Sequence, residues 1–169
     1  MFHRQLGHHR HHHPDPGLST RSVTMSHVLS SGLASAEQAR LFFEAQLAFR
    51  TDPADLAADL LAGEERIVVI DTRSAGHYAE GHIPGAISFP HATMNPVTTA
   101  ALAQDKVYVC YCDGIGCNGS TRGACKLAAL GFQVKELIGG LHWWRQDGFA
   151  VVTGSEPGVL QTGGIACGC

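Results

Sequence analysis

Six cysteines stand at positions 110, 112, 117, 125, 167 and 169, four of them within one 16-residue stretch and two at the end of the chain. The thiolate is the reactive form of cysteine, so this clustering is where chemistry is sought first. Cys112 closes the β-branched and aromatic run 106–112 and opens a glycine-dense loop, Asp113-Gly114-Ile115-Gly116-Cys117-Asn118-Gly119. Ser120 reads as the N-cap of a following helix that runs through Leu130 and stops at Gly131. A sulfur at the end of a buried strand, facing the positive end of a helix, has its thiolate favoured and its pKa lowered. The amides of residues 113–118 form a cradle that suits an attacking anion such as thiosulfate equally well, or a terminal persulfide.

Taken by itself, Cys112 reads equally as a small apolar residue finishing a strand, the reading given to Cys110. The loop after Cys112 is what favours the reactive reading. Cys117 is either a loop residue pinned inward or a resolving thiol that closes on Cys112, which requires their Cα atoms to come within about 7 Å. Cys125, among Ala124, Leu127 and Ala128, reads as core packing. Cys167-Gly168-Cys169 offers too few ligands for a closed zinc site, and is either a mobile sulfur acceptor or a plain tail. No metal and no cofactor are expected.

The elements that must hold this loop follow from periodicity and punctuation. Ser35-x-x-Gln38 is a capping-box pattern, and Leu41, Phe42, Ala45, Leu47, Ala48 and Phe49 continue at helical spacing over about 36–50. Asp52, Pro53 and Gly63 bracket a second, shorter helix. Ile67-Val68-Val69-Ile70 is a strand of the kind buried on both faces of a parallel sheet, ending in Asp71-Thr72-Arg73. Further strands are read at 86–89, 106–112 and 133–138, with a tight turn at Gly139-Gly140 and a short helix over 141–146. Strands alternating with helices predict an α/β sandwich around a mainly parallel sheet, in which ligands bind at the carboxyl ends of strands.

The chain has 169 residues, 44% hydrophobic and 16% charged, with a formal charge of −3. One globular core is expected, and nothing in the charge favours nucleic acid or an anionic membrane as partner. No apolar run approaches the roughly 20 residues of a membrane span. Without a secretory signal, the cysteines are expected to be reduced thiols in a cytoplasmic protein. Residues 1–34 carry seven of the eleven histidines without periodicity, and read as a disordered leader. Met25 offers an alternative start, and clustered imidazoles offer metal capture as the other reading of that segment. The domain is expected over 35–153, with the extra helix in 35–51, and 154–169 as a flexible Gly/Cys tail.

The runs IVVIDTRSAGHYAEGHIPGAISFP (67–90), VYVCYCDGIGCNGST and KLAALGF…VKELIGGLHWWRQDGF together resemble a single-domain rhodanese, a sulfurtransferase family, over roughly 54–152. The resemblance implies a three-layer α/β sandwich with helices flanking the sheet, here with an added N-terminal helix. It implies that Cys112 becomes a persulfide, and that Asp71, Arg73 and His82 are structural supports: the first two lock strand to sheet and His82 orders the turn before Pro84. It implies a small donor, thiosulfate or a persulfide, and a thiol or protein acceptor. Oligomeric state is not implied.

The chain departs from that family's common pattern. Its loop is about two residues longer, and Cys117-Asn118-Gly119-Ser120 stands where an Arg is usual. Enlarged loops also occur in dual-specificity phosphatases and arsenate reductases, whose Cys-x5-Arg encloses an oxyanion. Six on from Cys112 is Asn118, and six on from Cys117 is Gly123, so the bidentate cation of that chemistry is missing. Two other readings remain beside sulfur transfer. One is a binding or redox-sensing module built on a Cys112/Cys117 disulfide; the other is an oxyanion reductase or phosphatase. Asp113 is an unexpected neighbour for a thiolate, whose ionisation its charge opposes. His77, His91 and His142 are assigned no role, and Trp143 and Trp144 read as packing aromatics or as pocket wall.

Overall fold

The computed structural model describes residues 24–162. Residues before Ala36 form a unit of their own. Its described part, 24–35, is exposed turn, with the Ser30 hydroxyl donating to the His27 carbonyl at 2.8 Å.

From Ala36 onward the order is α1 (Ala36–Phe49), β1 (Arg50–Thr51), α2 (Pro53–Leu61), β2 (Ile67–Asp71), α3 (Ala75–Glu80), β3 (Ile87–Ser88), a 3-10 turn at His91–Thr93, β4 (Val107–Tyr111), α4 (Gly119–Ala129), β5 (Gln133–Leu137) and α5 (Gly140–Gln146). The five strands form one sheet in the order β1-β5-β4-β2-β3, every neighbour parallel. Helices flank the sheet, and α1 precedes the domain as an added helix. The central pair β2 and β4 explains the continuous apolar runs, because each face has its own core. Val69, Val109 and Tyr111 join Leu56, Leu141 and Trp144 in one cluster, while Ile70, Tyr108 and Cys110 join Leu127 and Phe132 in the other. Successive residues of a strand point to opposite faces, so both residue sets must be apolar.

Local chemistry sets the element ends. The Asp52 carboxylate accepts from the Asp55 N–H and Pro53 opens α2, as the sequence predicted. The Ser120 cap is corrected: α4 opens earlier, at Asn118, whose side chain makes no cap bond. The Ser120 hydroxyl donates instead to Glu136 on β5, at 3.1 Å. Helix α1 has the expected apolar residues but buries none of them fully; Leu41, Phe42, Phe43, Leu47 and Phe49 are all exposed. Strand β1 and helix α3 carry too short a pattern to be read from sequence.

The stretch 152–160, across the expected domain end at 153, is bonded to the turn after α3. The Val152 carbonyl accepts from the His82 N–H at 2.9 Å, Pro157 accepts from Gly85 at 2.8 Å, and Leu160 is buried. This stretch lies over the turn after α3, where the backbone of β3's approach needs partners. Cys167 and Cys169, and the histidine run 8–13, lie outside the described residues.

Candidate active site

Strand β4 ends at Tyr111, and Cys112 follows it into the loop that leads to α4. Gly119 is the first residue of α4, and its backbone lies against the sulfurs: a Cβ there would sit 3.1 Å from Cys112 Sγ and 3.4 Å from Cys117 Sγ. The same position would lie 3.5 Å from the His91 ring, whose Nδ1 is buried and meets no hydrogen-bond partner among the described residues. The first residue of α4 thus lies against the cysteine pair.

The expectation of reduced thiols is corrected at this pair. Cys112 and Cys117 form a disulfide, with Cα atoms 6.2 Å apart. The five-residue separation and the glycines between them let the chain fold back, and the N–H of Cys117 donates to the Gly114 carbonyl at 3.1 Å. That amide is therefore used inside the loop. Among the described residues, the amide that reaches a sulfur is Gly119 N–H, 3.5 Å from Cys117 Sγ rather than from Cys112. Cys112 is 3% exposed, Cys117 is half-buried, and Gly116 and Ile115 face solvent.

A second layer holds the start of the loop. The N–H groups of Leu141 and His142, at the beginning of α5, donate to the carbonyls of Cys112 (2.9 Å) and Asp113 (2.8 Å). This needs Gly140, which has φ +59° and on which a Cβ would collide with the Cys112 carbonyl and stand 3.0 Å from the Gly114 nitrogen. The sequence marked Gly139-Gly140 only as a tight turn. Nothing local signals that the turn abuts a loop more than twenty residues upstream.

Beneath the loop lies the Asp71–Arg73 pair. The Arg73 guanidinium donates to Asp71 through Nη2 at 2.7 Å and Nε at 3.0 Å, and to the Gly81 carbonyl at 2.7 Å. Its Nη1 donates to Asp113 at 2.8 Å. Tyr111 completes the cluster: its hydroxyl donates to Asp71 at 2.9 Å and accepts from the Ile83 N–H at 3.1 Å. Asp71 is fully buried. Burial works against the Arg73 charge, but the bonds from Asp71 and Asp113 prevail and hold its pKa above the ordinary guanidinium value. Burial raises the Tyr111 phenol, and the Asp71 charge adds to that. Asp113 is thus no free charge beside the sulfur; it joins the loop to β2 through Arg73.

His82 sits flat on Tyr78, ring centroids 3.6 Å apart, with its two nitrogens 2.8 Å from the Tyr78 carbonyl and 3.0 Å from that of Glu156. It ties the segment before Pro84 to the chain's closing stretch. Cys110 is buried as expected, its thiol pushed up to about 12 chiefly by burial. Cys125 is not a core residue: it lies on the exposed side of α4, whose inward positions are Gly123 and Leu127. The tryptophans divide, Trp144 in the core and Trp143 half-exposed beside Gly114–Cys117 and His142.

Residues 53–147 match the rhodanese-like domain family. The chain belongs to that family. Among solved structures, a Bacillus halodurans protein is 44% identical with a TM-score of 0.68, over 70% of this chain and 87% of that one. A thiosulfate sulfurtransferase of Pseudomonas aeruginosa is 29% identical with a TM-score of 0.54; the match covers 68% of this rhodanese-like chain and 20% of that one. An HTH-type transcriptional regulator of Mycobacterium tuberculosis is 29% identical over 83% of this chain and 76% of its own length. No helix among the described residues is long and apolar enough to cross a membrane.

Proposed function

We propose that this protein is a rhodanese-type sulfurtransferase working through Cys112, with the Cys112–Cys117 disulfide as its resting, oxidised form. The observation that carries the reading is the seat of Cys112 Sγ against the first residue of α4, at the carboxyl end of the central strand. A thiolate there gains the helix-end potential, and the loop amides of 113–118 supply further donors where they turn toward it. Arg73 supports this by holding the Asp113 carboxylate away from use as an opposing charge.

After reduction, the Cys112 thiolate attacks the outer sulfur of thiosulfate, or of a persulfide donor. The S–S bond of the donor breaks and its electron pair leaves with sulfite or a thiolate, so Cys112 carries one added sulfur. A thiol or protein acceptor then attacks that outer sulfur, and the electron pair returns to Cys112 Sγ. Neither half-reaction needs a metal or cofactor. A disulfide confined to one reactive loop suits a cytoplasmic setting, where such bonds are transient.

The test is intact mass of the reduced protein after exposure to thiosulfate. One added sulfur on the wild type, absent from Cys112→Ser, is expected; no addition, or equal addition to the variant, defeats the proposal. The disulfide itself favours a second reading, a redox module in which Cys112 and Cys117 toggle a partner surface. Reversible disulfide formation in a protein that never accepts sulfur would select it. Conversely, full sulfur transfer by Cys117→Ser would leave Cys117 no catalytic part.

A further inference from the structure

The two cysteines of the disulfide differ in exposure. Cys112 is 3% exposed, whereas Cys117 is half-buried and lines clefts on both sides of the loop. One cleft, of about 270 Å³, also holds Arg50, Asn118, Ser120, Thr121 and Glu136. The other holds Asp113, His142 and Trp143. We infer that the disulfide is opened from the Cys117 side, by a small thiol bearing a carboxylate that seats against Arg50 in the first cleft.

Thiol–disulfide exchange requires the attacking thiolate to approach a sulfur along the S–S axis, from the side opposite its partner. Leaving-group chemistry alone favours attack on Cys112, because the Gly119 N–H already reaches Cys117 Sγ and would stabilise its thiolate. Access weighs the other way: Cys112 is 3% exposed and lines neither cleft, whereas Cys117 lines both. Attack on Cys117 breaks the S–S bond, forms a mixed disulfide on Cys117, and leaves the electron pair on Cys112 as the thiolate at the α4 mouth. A second thiol then attacks the incoming molecule's sulfur, releasing Cys117 as a thiol. Two thiols become one small disulfide, and the protein disulfide is reduced.

The carboxylate preference comes from Arg50. Glu136 is its ion-pair partner, yet at 3.8 Å from Nε it is loosely held. The other Glu136 oxygen is filled by the hydroxyls of Thr121 (2.6 Å) and Ser120 (3.1 Å). The Arg50 side chain is 46% exposed, and its guanidinium meets no other acceptor among the described residues. Across the loop, the second cleft is lined by no Lys or Arg among the described residues, so it offers an anionic thiol no matching cation.

The test compares reduction of the oxidised full-length protein by 3-mercaptopropionate and by 2-mercaptoethanol, rates normalised to thiolate concentration. The wild type should favour the carboxylate-bearing thiol by about two- to fivefold, the range an exposed ion pair supplies. In Arg50→Gln the ratio should fall to about one while 2-mercaptoethanol reacts as before. Acid quenching, alkylation of the freed thiol and tandem mass spectrometry should place the mixed disulfide on Cys117. An adduct on Cys112, a ratio of one in the wild type, or a ratio unchanged by Arg50→Gln would each overturn the inference. Sulfur loading by thiosulfate is measured on pre-reduced protein, so failure of the sulfurtransferase reading shows there and not here.

Discussion

Arg73→Met should be among the most damaging single changes outside the apolar cores. Methionine keeps an unbranched apolar stem but removes a guanidinium that donates to Asp71 at 2.7 and 3.0 Å, to Gly81 at 2.7 Å and to Asp113 at 2.8 Å. Asp71 is fully buried, and would keep only the Tyr111 hydroxyl and the backbone N–H of residue 73. Removing one partner of a buried pair costs about 3–5 kcal/mol. Against a whole stability of about 5–15 kcal/mol that is about a fifth or more. At about 2–4 °C per kcal/mol for a chain of this length, the melting temperature should fall by about 6–20 °C. Urea unfolding followed by circular dichroism gives the free energy directly. Asp113→Asn is the control, because Asp113 is 60% exposed and such a pair is worth about 1 kcal/mol or less. Asp71→Asn combined with Arg73→Met should recover about 1 kcal/mol or more over Arg73→Met alone, since no buried charge is then stranded. Should Arg73→Met prove no worse than Asp113→Asn, or the double variant equal the sum of the singles, the cluster is not the clamp described.

Tyr111→Phe removes a donor to Asp71 and the acceptor of the Ile83 N–H, and should cost about 1–3 kcal/mol in the same unfolding experiment. Gly140→Ala forces a side chain into a left-handed turn against the Cys112 carbonyl; a loss of about 2 kcal/mol or more is expected, with slower sulfur loading of the reduced protein by mass. Maleimide labelling of the native protein near pH 8 should modify Cys125 and spare Cys110, whose thiol is pushed up to about 12, as read by peptide mapping. Cys125→Ser should change stability by no more than about 0.5 kcal/mol, because the side chain is exposed.

Strands β2 and β4 were legible because they must be apolar on both faces, which writes an uninterrupted run into the sequence. Helix α2 was legible from its cap and proline. The α4 start was displaced because Ser120, a good cap by type, is drawn off by Glu136 of β5, a partner no local pattern reveals. Cys125 misled for a related reason: helical spacing places it near apolar neighbours, but which side of α4 faces the sheet is set by Gly123 and Leu127. Similarly, 154–160 lacks periodicity yet is held by backbone bonds to Ala79 and Gly85 and by the His82 ring at the Glu156 carbonyl.

By itself the sequence determined the α/β alternation, the placing of Cys112 at the end of a central strand, and the presence of a second cysteine five residues on. Those are local properties, fixed by side-chain pattern and by chain length between residues. Only the tertiary structure decided that the two sulfurs are joined and that Cys117 is the more exposed residue of the pair. It also decided that Asp113 is bound by Arg73, and that the start of α5 holds the carbonyls of the reactive loop. Each of these depends on segments far apart in sequence meeting at the carboxyl edge of a parallel sheet, where every strand delivers its loop to the same place.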